Sequence, residues 1–224
     1  MKGIVFSLKR GNHHINRNRN YHLANFSFKR FFVFYGLQTF FLLTFLLGVV
    51  LGSLSFKTAS PDLLERLDFL FLTNLENRLK FTAFEMFCSS FASSFLFVLF
   101  AFLFAFTAWG MFALVLLCSF LGYGVGISSA YMFIEHSVTG IGFYILVVLP
   151  GLVLFLIAFI TALKESFTQS VYLLKMYFPS NNDVLILRHI KTFLYRYFVV
   201  IIFTAFSAVV DMLLWVLFAN LFNF

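Results

Sequence analysis

From Phe91 to Ile134 the chain runs for 44 residues without a charged side chain. An α-helix rises about 1.5 Å per residue and the hydrocarbon core of a bilayer is about 30 Å thick, so one crossing takes about 20 residues. The stretch therefore holds two crossings in succession, and no soluble domain of this size has a core that could hide it. Whole-chain composition agrees, with 62% hydrophobic and 11% charged residues, where a soluble domain has about 45–50% apolar and about 25% charged. A soluble enzyme, a disordered tail and a collagen-like or disulfide scaffold are excluded. A transmembrane barrel would show alternating segments of about 10 residues, whereas the apolar blocks here are long and continuous. The fold class expected is an all-α integral membrane protein with five transmembrane helices plus an extracytoplasmic amphipathic helix.

The spans follow from the charge-free blocks. Residues 1–30 are basic, with Lys2, Lys9, Arg10, Arg17, Arg19, Lys29 and Arg30 and no acid; the run GNHHINRNRN has no helical or strand period and reads as a flexible tail. Span one covers 31–56, too long for a cleaved signal peptide, whose apolar region is about 7–15 residues. The pair Trp109-Gly110 suits a tight turn, because Trp favours the interface and Gly permits a reversal. That gives span two at 89–109 and span three at 111–133. A water-facing corner is expected at Glu135-His136-Ser137, then span four at 140–163, continuing as helix towards Tyr177. A turn cluster at Pro179 to Asp183 precedes span five at 197–217. Two domains result: the tail, 1–30, and a single membrane domain, 31–224.

Between spans one and two, Ser60-Pro61-Asp62 has the pattern of a helix start. Leu64, Leu67, Phe71, Leu75 and Leu79 then recur at three- and four-residue steps, while most charges lie off that stripe. Segment 61–85 is read as an amphipathic helix at the membrane surface. Five spans put the termini on opposite sides. The formal net charge of +7 bears on orientation rather than on nucleic acid: the face with the tail and the 164–196 loop carries 12 Lys/Arg, the other face 4 together with five acids. Basic residues stay cytoplasmic, so the N terminus is expected inside, the C terminus outside, in the plasma membrane.

Little in the chain could carry catalysis. No HExxH, Walker loop, GxSxG, CxxC or paired carboxylates occur, and Cys88 and Cys118 define neither a disulfide framework nor a metal site. His13-His14 is an adjacent pair in a solvated tail. No catalytic residue, cofactor or metal is expected. Asp211, the only ionisable residue deep in a span, is either an ion or proton site or a hydrogen-bonded packing residue; with no second intramembrane charge to relay to, packing is the favoured reading. Gly122 and Gly126 have GxxxG spacing, repeated by Gly48 and Gly52, and such faces let helices approach closely. Pro150 removes a helical hydrogen bond and should kink span four, with Gly151 easing the bend.

The order of features, with the run FLGYGVGISSAYMF in span three and the Leu149-Pro150 step within TGIGFYILVVLPGLVLFLIAFITAL, resembles the stage II sporulation protein M family of endospore-forming bacteria. Many members follow that proline with His-Gly and a later Glu; here Gly151 follows directly and Val153 to Ile157 carry no acid, so no activity of those polar residues carries over. The resemblance implies a non-enzymatic scaffold for engulfment that recruits the peptidoglycan-degrading stage II sporulation proteins D and P to the septal membrane. Docking through Leu64, Leu67, Phe71 and Leu75 fits that role, with membrane lipid the other partner. The rival expectation is a permease-like subunit, with Pro150-Gly151 as hinge, Asp211 as substrate or ion contact, and a cytoplasmic ATPase on loop 164–191. A membrane-embedded enzyme ranks third, because no acid, base and nucleophile can be assembled from these spans. The oligomeric state is left open.

Overall fold

The computed structural model of the chain describes residues 28–56, 82–176 and 184–218. The chain divides into a short unit, Met1–Phe34, and a bundle, Tyr35–Phe224. All regular structure among the described residues is helical. The helices are α1 (Phe28–Ser55), α2 (Ala83–Ala105), α3 (Gly110–Phe143), a π-helical turn (Tyr144–Val148), α4 (Leu149–Met176) and α5 (Val184–Phe218). Five stretches are long and apolar enough to cross a bilayer: Gly36–Ser55, Ala83–Ala105, Gly110–Ile134, Val138–Leu174 and Ile190–Phe218. This is the architecture of a multi-pass helical membrane protein. Its outward faces are apolar, with Leu47, Leu54, Leu116 and Phe198 exposed, as suits a lipid solvent and no aqueous one.

Contacts along the helices fix their directions. Phe41, Phe45 and Val49 of α1 meet Cys118, Gly122 and Gly126 of α3 in ascending order, so α1 and α3 run parallel. Helix α5 runs antiparallel to α2 and to α4: Asp211 pairs with Ser90 and Tyr197 with Val98, while Ser207 pairs with Gly151 and Arg196 with Glu165. Helix α1, α3 as far as Ile134, and α5 thus point one way, α2 and α4 the other. The interior between them is aromatic. Phe97 touches both Phe120 of α3 and Phe159 of α4, at 6.3 and 6.2 Å between ring centroids. Phe102 of α2 lies against Phe193 and Tyr197 of α5.

Five expectations need correction. Helix α2 begins at Ala83, not 89, and ends at Ala105. Thr82 is an extended N-cap whose hydroxyl accepts from the Glu85 amide, while the Glu85 carboxylate accepts from Thr82 N–H at 2.8 Å. This capping box satisfies amides at the helix start that have no partner of their own. It also separates 82–85 from anything before it, so the amphipathic segment does not run unbroken to 85; its residues 61–81, with Leu64, Leu67, Phe71 and Leu75, lie outside the described residues. Secondly, the reversal after α2 is a turn over Phe106–Trp109, with Trp109 exposed and α3 starting at Gly110; it sits slightly earlier than the Trp109-Gly110 step that the sequence suggests.

Thirdly, Glu135-His136-Ser137 is not a loop, because helical backbone continues to Phe143. The chain nevertheless folds back there. Val125 and Val148 line one crevice, yet a straight helix would hold them about 35 Å apart. Fourthly, the irregularity expected at Pro150 takes the form of the π turn just before it, where Leu149 N–H reaches back five residues to the Tyr144 carbonyl. Proline cannot donate and its ring crowds the carbonyl four residues back, and a π turn is a common way for a helix to absorb such a defect. Helix α5 starts at Val184, well before the expected 197, since a span's helix need not stop at the bilayer edge.

Interhelical hydrogen bonds stitch the end of the bundle near the α2–α3 turn. Tyr197, buried, donates to the Val98 carbonyl at 2.8 Å, and Ser170 donates to the Thr107 carbonyl at 2.7 Å. Interhelical hydrogen bonds in bilayers are worth about 0.6 kcal/mol on average and about 1.7 at most. Tyr197→Phe is expected to cost about 1 kcal/mol, read as a shift in the denaturant midpoint of the detergent-solubilised protein; an unchanged midpoint would mean the hydroxyl contributes nothing net.

Candidate functional site

A carboxylate and several hydroxyls converge in a crevice of about 100 Å³ between α2, α3, α4 and α5. Its polar lining is Ser90, Ser93 and Ser94 of α2 with Ser207 and Asp211 of α5. Ser90 and Ser94, like Ser207 and Asp211, are four residues apart, hence on one helical face. Seven residues separate Ser90 from the start of α2 and Asp211 from the end of α5, which sets the site about 10 Å in from those helix ends. Ser90, Ser93 and Ser207 are buried; Ser94 and Asp211 are half-buried.

Gly151 lets the walls come together. A Cβ placed on it would stand 3.0 Å from Asp211 Cβ and 3.2 Å from Asp211 Oδ1, so a side chain there would require Asp211 to give way by a few tenths of an ångström. The Ser207 hydroxyl donates to the Gly151 carbonyl at 2.8 Å, and the Ser93 hydroxyl to the Ser90 carbonyl at 3.2 Å. Across the crevice, the Ser90 hydroxyl donates to Asp211 Oδ2 at 2.6 Å, a short hydrogen bond. No basic side chain lines the site.

The residues singled out in the sequence fall into separate places. Asp211 and Gly151 belong to the crevice, and Pro150 adjoins it behind the π turn. Gly122 and Gly126 lie at the crossing of α3 with α1. There a Cβ on Gly122 would overlap the Phe45 carbonyl oxygen, and one on Gly126 that of Val49; added to Gly48 or Gly52, it would overlap the carbonyl oxygens of Ser119 or Tyr123. The two glycine pairs therefore pack on each other, backbone to backbone. Sequence reasoning missed Ser90, Ser93, Ser94 and Ser207. A signal existed in the run SSFASS, whose serines recur at three- and four-residue steps within an otherwise aromatic helix.

Chemically, a carboxylate and several hydroxyls facing one crevice can bind a small polar or charged ligand. Among the described residues, no three His, Cys, Asp or Glu side chains come together as a metal site would need. No family model, no curated protein and no solved structure matches the chain.

Proposed function

We propose that the protein is a non-enzymatic membrane scaffold, as the resemblance to the stage II sporulation protein M family implies, holding peptidoglycan-degrading partners such as the D and P proteins at the septal membrane during engulfment. The observation that supports this is the way the interior is spent on packing: glycine backbones in contact between α1 and α3, and phenylalanine rings filling the space among α2, α4 and α5. The excess of Lys/Arg on one face orients the tail to the cytoplasm and the last residues to the outside. In that orientation the segment before Thr82, which joins α1 to α2, lies on the outer side, where Leu64, Leu67, Phe71 and Leu75 would meet extracytoplasmic hydrolases.

The test is recovery of partners in mild detergent from the native host, in growing and in starved cells. Peptidoglycan hydrolases should be enriched chiefly on starvation, and Leu67→Asp with Phe71→Asp should reduce their recovery about tenfold while the protein stays in the membrane. Unchanged recovery by the membrane-inserted variant would end the docking proposal. One observation favours a second reading, a permease-like subunit: Asp211 lines a crevice shared by four helices. A cytoplasmic ATPase recovered equally under both conditions would favour that alternative.

A further inference from the structure

We infer that the crevice at Asp211 is a binding site for a monovalent metal cation, independently of which functional reading holds. The reason lies in where its hydroxyl protons go. Carbonyl oxygens only accept, so the Ser93 and Ser207 protons are committed to the carbonyls of Ser90 and Gly151. The Ser90 proton is committed to Asp211 Oδ2. What these groups have left is lone pairs alone: on three hydroxyl oxygens, and on a carboxylate that accepts and does not donate. Three of the four lining hydroxyls have thus spent their protons and only that of Ser94 has not, and a lining that keeps mostly acceptors is complementary to a positive ligand.

Charge and size narrow the ligand. Asp211 is the one acidic side chain of the lining and sits in an apolar helix, where an uncompensated carboxylate is costly. One hydroxyl bond offsets only part of that, and among the described residues no Lys, Arg or His lines the crevice. A single positive charge neutralises the site; a divalent ion would leave an excess charge there, and calcium wants about 6–8 oxygen ligands, commonly with several carboxylates. The volume of about 100 Å³ is well above the roughly 10–15 Å³ that one water needs. That leaves room for a partly dehydrated sodium or potassium ion. Hydroxyl and carboxylate oxygens are hard ligands, matched to such ions and not to soft metals.

The test is thermal unfolding of the full-length protein in detergent, with sodium, potassium or choline chloride at matched ionic strength. Sodium or potassium should raise the melting temperature by about 3–5 °C over choline. The half-saturating concentration should rise about tenfold or more in Asp211→Asn, an isosteric change that keeps a hydrogen-bond acceptor beside Ser90. Ser94→Ala removes a lining hydroxyl that carries none of the three bonds above, and should weaken binding about threefold; it serves equally if Asp211→Asn fails to fold. Equal melting in all three salts would make the crevice a water site and overturn the inference. A melting temperature that follows pH in the wild type but ignores the cation would make it a proton site and overturn the inference as well. An undiminished cation effect in Asp211→Asn or Ser94→Ala would place the binding elsewhere.

Discussion

Replacing Gly122 by valine is expected to cost about 3 kcal/mol and to part α1 from α3. A Cβ at this position overlaps the Phe45 carbonyl oxygen, with the Gly48 Cα only 3.2 Å away. Both neighbours are backbone and cannot swing aside as a side chain could, so the helices must separate along the whole crossing. Overpacking of interiors costs about 1–3 kcal/mol, occasionally more, and a rigid backbone neighbour puts this case at the upper end. Gly36 supplies the control, because nothing lies within 4 Å of a Cβ built on it; Gly36→Ala should fall within about 0.5 kcal/mol of the parent. Titration of the micellar protein with a denaturing detergent, followed by circular dichroism, measures both. Equal tolerance at the two glycines would mean that the backbones of α1 and α3 do not meet in this way.

Phe159→Ala should lower stability by a similar amount, about 3 kcal/mol. Phe159 is fully buried, stacked on Phe155 at 5.6 Å and set edge-on to Phe97 at 6.2 Å. In soluble cores such a truncation costs about 3–5 kcal/mol, part of it transfer from water and part the cavity left behind. Lipid removes most of the transfer part, since a phenylalanine ring is content in hydrocarbon, and leaves the lost contacts. Phe198, 61% exposed on the outer face, has few contacts to lose, and Phe198→Ala should cost under about 1 kcal/mol. The same titration decides the matter: if the two truncations cost the same, packing between helices is not what holds the bundle together.

Those two phenylalanines show why the interior is hard to read from residue type. In a soluble protein, hydrophobic residues mark the inward face of a helix. In a membrane the outward face is hydrophobic as well, and with 37 phenylalanines in the chain nothing in residue type separates Phe159 from Phe198. The residues that do discriminate are small or polar. Glycine gains from close helix contact and nothing from lipid, and a serine hydroxyl or carboxylate avoids lipid. Gly122, Gly126 and Asp211 are legible on that ground, and the serines of α2 are legible in principle by the same rule. Which of them meet is not: the glycines serve the α1–α3 crossing, whereas Asp211 faces α2 and α4, and the spacing of residues within one helix carries no information about its neighbour.

Helix ends divide in the same way. Trp109 and Gly110 place the turn after α2 within a few residues, because both act locally. The charged corner at 135–137 marks a reversal but not its form. Charged residues mark where a chain meets water; whether the backbone unwinds there depends on how the flanking helices pack. Similarly, Glu85 reads in the sequence as a residue outside the bilayer, and it takes the folded arrangement to make it one half of a helix cap with Thr82.

By itself, then, the sequence determined that the chain crosses a bilayer five times through α-helices, because hydrocarbon leaves the backbone no other partner than itself and charge-free length counts the crossings. The tertiary structure alone decided the rest: that α1 lies on α3 glycine against glycine, that Pro150 is absorbed by a π turn, and that Asp211 faces the serines of α2 across a crevice. Hydrophobic patterning orients a helix only when its surroundings differ from its core. In lipid they do not, and close packing, hydrogen bonding and buried charge take over the choice.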